Sequence, residues 1–165
     1  MGKKIKNGFS VFTGFSILIF MGLIGFLTMK LIAWPYYIAG DCMEPAVKDG
    51  SYVFVNRMAP YIREHKIGDI IVFTYEEKPW IARVVALEND TIHIANGIIK
   101  VNGVPLQDLV QRNWTDWEYG SYAINELYQV PANHVYVLSD NLAAHHDDSR
   151  VFGPISKKII FGAVW

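Results

Sequence analysis

The 165-residue sequence contains a single cysteine, Cys42. That excludes an intramolecular disulfide framework and any cysteine-rich zinc site. Charge is also scarce: Asp, Glu, Lys and Arg make up 19% of the chain, against 52% hydrophobic and 14% aromatic residues. Such a balance excludes a disordered or mainly solvating chain. No acidic residue occurs in the first 39 positions, where Lys3, Lys4, Lys6 and Lys30 give +4. The other 11 basic residues and all 16 acidic ones leave positions 40–165 at −5. An acidic body with no basic stripe argues against a nucleic-acid surface. The length allows one globular domain.

What is there begins with a run of 23 uncharged residues, Asn7 to Met29. As a helix rising about 1.5 Å per residue it crosses a hydrocarbon core of roughly 30 Å. A cleaved signal peptide would carry a shorter apolar stretch of about 7–15 residues, with small residues at its cut. Here Trp34, Pro35, Tyr36 and Tyr37 follow instead, and read as an interfacial aromatic belt. Lys30 can snorkel to the headgroups. The expected organisation is a basic cytoplasmic N-terminus at 1–7, a transmembrane anchor at 8–34 and an extracytoplasmic domain at 35–165. Lys3, Lys4 and Lys6 hold the N-terminus inside, which puts residues 40–165 on the far side; in a bacterium the anchor would lie in the cytoplasmic membrane with the β domain outside. The lipid bilayer is then one expected partner. Cys42 becomes a thiol in an oxidising compartment without an internal partner.

The outer domain reads as β. Strand-like runs fall at 51–55, 69–75, 80–87, 91–95, 98–101, 128–130, 135–139 and 159–165. Asn96-Gly97 between two of them is a two-residue hairpin signal. Helical periodicity is nearly absent beyond the anchor, with a single turn expected at 108–112. The expected fold class is mostly β, an antiparallel coiled or barrel-like sheet on one N-terminal transmembrane helix. Residues 105–127 interrupt the pattern and hold Trp114, Trp117, Tyr119 and Tyr122. They read as a surface excursion packed on the sheet, or as one wall of a peptide groove.

Three segments in order carry a family resemblance. Gly40-Asp41-Cys42-Met43-Glu44-Pro45-Ala46-Val47-Lys48-Asp49-Gly50 resembles the nucleophile box of type I signal peptidases. Ile81-Ala82-Arg83-Val84-Val85-Ala86-Leu87 with Asp90 resembles their base-bearing strand. Ser139-Asp140-Asn141 with Asp148-Ser149-Arg150-Val151-Phe152-Gly153-Pro154 resembles their late box. The turn Ile99-Lys100-Val101-Asn102-Gly103 fits as well. The resemblance implies a membrane-anchored endopeptidase that cuts signal peptides from exported preproteins at the outer membrane face, pilin or conjugation-type substrates included.

Mapped residue by residue, the family's serine nucleophile falls on Cys42 and its lysine base on Ala82. The late-box serine falls in a stretch, residues 142–147, that holds no serine. Peptide cleavage requires a nucleophile, a group that takes its proton, and an acid for the leaving amine. A cysteine with a pKa of about 8.5 is a few per cent thiolate at pH 7 without help, but Ala82 supplies neither base nor acid. His145 and His146, placed beside the nucleophile by the flanking matches, are candidates for both roles, oriented by Asp147 or Asp148. The alternative is that the pair is exposed and inert. The resemblance further implies the Cys42 backbone N–H as an oxyanion donor, Met43 and Pro45 as the turn and apolar floor for small substrate side chains, and an Asp148–Arg150 ion pair.

His65 reads as part of a solvated polar run, His93 as a strand-surface residue and His134 as a turn residue. No metal or other cofactor is expected, because no spacing among these histidines fits a ligand set. Two functions remain open from the sequence. One is the endopeptidase. The other is a catalytically dead homologue, or an inactivated variant, that binds preproteins or pilins as an assembly chaperone.

Overall fold

The computed structural model describes residues 3–95, 98–106, 122, 125–141 and 146–165. Helix α1, Lys3–Ile32, opens the chain. Its segment Phe12–Lys30 is long and apolar enough to cross a membrane, and none of it is buried against the rest of the protein. The helix ends two residues before the expected anchor boundary. The residues read as an aromatic belt, 34–37, lie in a strand, β1, Ala33–Tyr37. It pairs antiparallel with β2, Tyr52–Asn56, from Ala33 opposite Asn56 to Tyr37 opposite Tyr52.

The chain continues through a short helix α2, Ala59–Ile62, and then β3, Ile70–Tyr75, and β4, Lys78–Ala86. Next come β5, Thr91–Ala95, β6, Ile98–Val101, and β7, Val104–Pro105. The last elements are β8, Tyr128–Gln129, β9, His134–Leu138, helix α3, Ser149–Phe152, β10, Ile155–Ser156, a 3₁₀ turn, Lys157–Ile159, and β11, Ile160–Val164. Seven strands form one sheet in the order β1-β2-β11-β3-β4-β9-β10, and four form a second in the order β7-β6-β5-β8. All recorded pairings are antiparallel. The fold is the mostly β architecture expected.

Alternation explains how the sheets share their cores. On β9, Val135 and Val137 join one apolar cluster with Ile71, Phe73 and Ala82, while Tyr136 and Leu138 join another with Ile92, Ile94 and Val101 of the small sheet. Successive strand residues face opposite sides, so a strand covered on both faces reads as a continuous apolar run. A third cluster, with Ile38, Met43, Val55, Val72 and Ile81, lies beneath the segment that carries Cys42. Each fully buried side chain of this kind contributes about 1.5–3 kcal/mol relative to exposure.

Several expectations fall outside the described residues: the Asn96-Gly97 turn, the helical turn at 108–112, Trp114, Trp117, Tyr119 and His145. Tyr122 is described. Its carbonyl accepts from Tyr136 Oη at 2.9 Å, and its ring meets Tyr128 edge-on. His65 is a correction: the polar run around it suggests solvent, yet the residue is buried at 7% exposure. His93 sits in β5 opposite Lys100, and His134 Nδ1 lies 2.8 Å from the Ala132 carbonyl.

One buried ion pair holds the late segment. Asp148 caps α3, accepts from Arg150 Nε and Nη2 at 2.9 Å each, and accepts from the backbone N–H of Ser139. Both side chains are essentially inaccessible. Removing one partner leaves an uncompensated buried charge, which costs about 3–5 kcal/mol. We expect Arg150→Leu to destabilise the detergent-solubilised protein by that amount in urea unfolding, with an unchanged midpoint arguing against a structural role.

Candidate active site

Cys42 lies in a turn between β1 and β2, and its position is fixed from the far end of the chain. The backbone N–H of Asn141 donates to the Cys42 carbonyl at 2.9 Å, and Asn141 Nδ2 donates to the Asp41 carbonyl at 3.3 Å. Asp140, next to it, is gripped by Arg83 of β4 through a two-pronged ion pair, with Arg83 Nε 2.6 Å from Oδ1. Arg83 Nη1 also donates to the Gly68 carbonyl. Planar two-point pairing of this kind fixes orientation as well as distance. Met43 is fully buried under the turn. Pro45 is exposed, in the cis Glu44–Pro45 peptide.

A cleft of about 600 Å³ opens at the sulfur. Trp34, Tyr36 and Ile38 from the β1 segment, Lys78, Trp80 and Ile81 from β4, and Cys42, Ser139, His146 and Asp147 line it. β1 is the terminal strand of its sheet. β4 pairs with β9 only from Arg83 onward, so among the described residues 78–81 have no partner on that side. Two strand edges therefore face the cleft, the arrangement into which an extended peptide can add its own backbone hydrogen bonds. Trp80 is held by its indole N–H on the Tyr75 carbonyl and by edge contact with Phe152.

His146 lines this cleft together with Cys42. Its Nε2 is 2.8 Å from Asp41 Oδ1. A Cβ at Gly40 would meet His146 Cε1 at 3.8 Å, so the ring lies over the residue two before Cys42. Gly40 has φ +113°, a backbone conformation that favours glycine. Its N–H is held by Asp49 Oδ1 at 2.7 Å. The sequence names Asp147 or Asp148 as the orienting acid. The structure commits Asp148 to Arg150 and puts the carboxylate of Asp41 on His146, while Asp147 lines the cleft with it. Nothing in linear spacing points to Asp41, since the two residues are 105 positions apart.

Ala82 is 3% exposed and packs with Ile71, Phe73 and Val84. Its neighbour Ile81 turns to the cleft, and Arg83 turns to Asp140. The position that carries the family's lysine in the resemblance is thus part of an apolar core. Of the two basic side chains of this strand, Arg83 is committed to an ion pair with Asp140 and Lys78 lines the cleft.

Burial pushes the Cys42 thiol up, and the negative charges of Asp41 and, more weakly, Asp140 push it the same way. The backbone N–H groups of Cys42 and Met43 oppose this by stabilising the thiolate. Tyr36 is raised by its own burial and by the nearby Cys42 charge. Asp41 is lowered, chiefly by its hydrogen bond with His146. The resting site is therefore a neutral thiol beside a His–Asp pair, which needs a base to become nucleophilic.

A family model described as "Signal peptidase, peptidase S26" matches residues 11–165. The chain belongs to that signal peptidase family. Signal peptidase IB of Staphylococcus aureus is 30% identical over 156 residues, covering 86% of this chain and 81% of the relative. A probable signal peptidase I-1 of Synechocystis is 30% identical over 150 residues, covering 85% and 73%. Signal peptidase I P of Bacillus subtilis subsp. natto is 29% identical over 153 residues, covering 89% and 82%. A crystal structure of a signal peptidase I from Enterococcus faecalis superposes with a TM-score of 0.47 at 21% identity, over 63% of this chain and 99% of that one.

The raised thiol gives a direct measurement. The rate of Cys42 alkylation by iodoacetamide is expected to climb with pH through a midpoint above the value of about 8.5 for a free cysteine. Asp41→Asn removes a charge that opposes thiolate formation, so its midpoint should shift to lower pH. An upward shift would contradict the electrostatic account.

Proposed function

We propose that this protein is a membrane-anchored endopeptidase that cuts exported preproteins at the outer face of the membrane, with Cys42 as nucleophile and His146 as general base. The observation that carries the reading is that His146, in contact with Asp41, lines the same cleft as Cys42. With Nε2–H donating to Asp41, His146 keeps its lone pair on Nδ1, the tautomer a base needs. Nδ1 takes the thiol proton as Sγ attacks the scissile carbonyl. The Cys42 backbone N–H donates to the oxyanion. The imidazolium then returns the proton to the leaving amine, and a thioester remains on Cys42. Water attacks this thioester with His146 again as base, which releases the new carboxylate and restores the thiol.

The family membership supports the preprotein as substrate class, and pilin or conjugation-type preproteins fall within it. The apolar segment Phe12–Lys30 supports a single span. Lys3, Lys4 and Lys6 orient it with the N-terminus in the cytoplasm and the β domain outside, in a bacterial cytoplasmic membrane. In this assignment the base is His146, and Ala82 closes the core where the family's lysine stands.

The buried, raised thiol favours a second reading, in which the cleft binds preproteins without cutting them. One experiment separates the two. Vesicle-embedded protein is incubated with a preprotein and followed by intact mass. The peptidase reading expects cleavage, its loss in Cys42→Ala, and a fall of about 10²–10⁴-fold in His146→Ala, the usual contribution of general acid–base catalysis. Binding with no cleavage and no thioester on Cys42 would establish the chaperone-like reading instead.

A further inference from the structure

A second hollow, of about 360 Å³, lies at the outer end of the helix α1. Gly25, Phe26 and Met29 of α1, Pro35 of β1 and Phe54 of β2 line it, together with Lys30. Phe26, Met29 and Phe54 are each at least 60% exposed. The hollow and the active-site cleft meet at Pro35, which lines both. β1 follows α1 with no intervening residue, and the Arg57 N–H donates to the carbonyl of Ile32 at 3.0 Å. The end of the helix and the start of the cleft are thereby fixed to each other.

We propose that this hollow receives the apolar, membrane-embedded segment of the preprotein's leader, packed as a helix against the Gly25 face of α1, while the residues that follow it enter the cleft. The proposal rests on the peptidase reading and adds to it a substrate-recognition role for the anchor helix. Three observations carry it. First, the hollow shares Pro35 with the cleft, and a leader's apolar segment precedes its cut, so a peptide in the cleft must lead back into the membrane near one of its ends. Second, Gly25 lines the hollow without a side chain, and a Cβ built there meets no atom within 4 Å, as at Gly14 and Gly22 along the same helix. The backbone of α1 is open there, and close approach at small residues is how helices associate within lipid. Third, Pro35 and Cys42 are seven positions apart, a span of at most about 23 Å for an extended chain at ~3.3 Å per residue. A short linker of similar length joins a helix in the hollow to a bond at the sulfur.

The test uses the full-length protein in vesicles. A photocrosslinking residue, p-benzoylphenylalanine, replaces Phe26, or Phe12 as a control at the opposite end of the apolar segment. The probe is a preprotein whose leader has an uncharged segment of about 15 residues. The expected result is an adduct from position 26 mapping to that uncharged segment, and none from position 12. In parallel, Gly25→Leu fills the hollow. It should lower kcat/KM for the preprotein about tenfold and leave kcat/KM unchanged for a soluble peptide long enough only for the cleft. Lipid adducts alone from position 26 would overturn the proposal, as would equal losses on both substrates. The crosslink does not depend on cleavage: an adduct on the leader from a protein that cuts nothing rejects the peptidase reading and leaves this one standing.

Discussion

The hydrogen bonds from Asn141 to the Cys42 turn are the joint on which the site depends. They tie residues 100 positions apart in the chain, and the turn itself is too short to hold a side chain in one direction. Asn141 in turn is placed by what surrounds it: Arg83 grips Asp140, and Asp148 takes the Ser139 N–H while pairing with Arg150. Burying such pairs costs desolvation, and an apolar pair of similar volume can be equally stable. Their contribution here is geometric. Three neighbouring residues after β9 are each held by a different directional contact, so the strand end cannot slide along the turn it supports.

That geometry makes sense of where a base can stand. Period-two alternation on β4 gives Ile81 to the cleft, Ala82 to the core and Arg83 to Asp140. With no ionisable group at 82, the proton acceptor in the proposed mechanism is His146, which lines the same cleft as Cys42. A cysteine suits this arrangement better than a serine. The thiol is far closer to ionisation at neutral pH than a hydroxyl, so an imidazole has less to supply. The acidic neighbours Asp41 and Asp140 work against the thiolate, and that opposition is the reason the imidazole matters in the proposal.

Much of the fold was legible because local signals agreed with the tertiary outcome. The runs at 91–95 and 98–101 became β5 and β6 with the boundaries read from alternation and turn residues. β1 was not legible. Trp34-Pro35-Tyr36-Tyr37 after an apolar helix has the composition of an interfacial belt, and only pairing with β2, 15 or more residues on, makes it a strand. His65 was misread for a similar reason: its neighbours Arg63, Glu64 and Lys66 are exposed, while it alone turns inward. Of the site, Cys42 and His146 were readable from motif order, but Asp41 was not, because a contact closed by two distant loops leaves no spacing to detect. Asp148 looked equally suitable in sequence, and its burial on Arg150 follows only from the way α3 packs.

β1 also joins two constraints that are usually separate. An open sheet edge invites pairing with any extended chain, and proteins usually blunt or cover it. Here Pro35 removes one donor from β1, a position where edge strands tolerate proline. The remaining edge opens on the cleft. Because β1 continues directly from α1 and Arg57 fastens the hairpin to the helix end, that edge stays within a few residues of the apolar segment. For a helix that spans a bilayer, the bilayer itself limits which chains can reach the edge: those already held at the same surface. Selectivity then need not come from the cleft alone. A shallow cleft that accepts many extended sequences is compatible with a narrow set of substrates when access is set by the covalent continuity of anchor and strand.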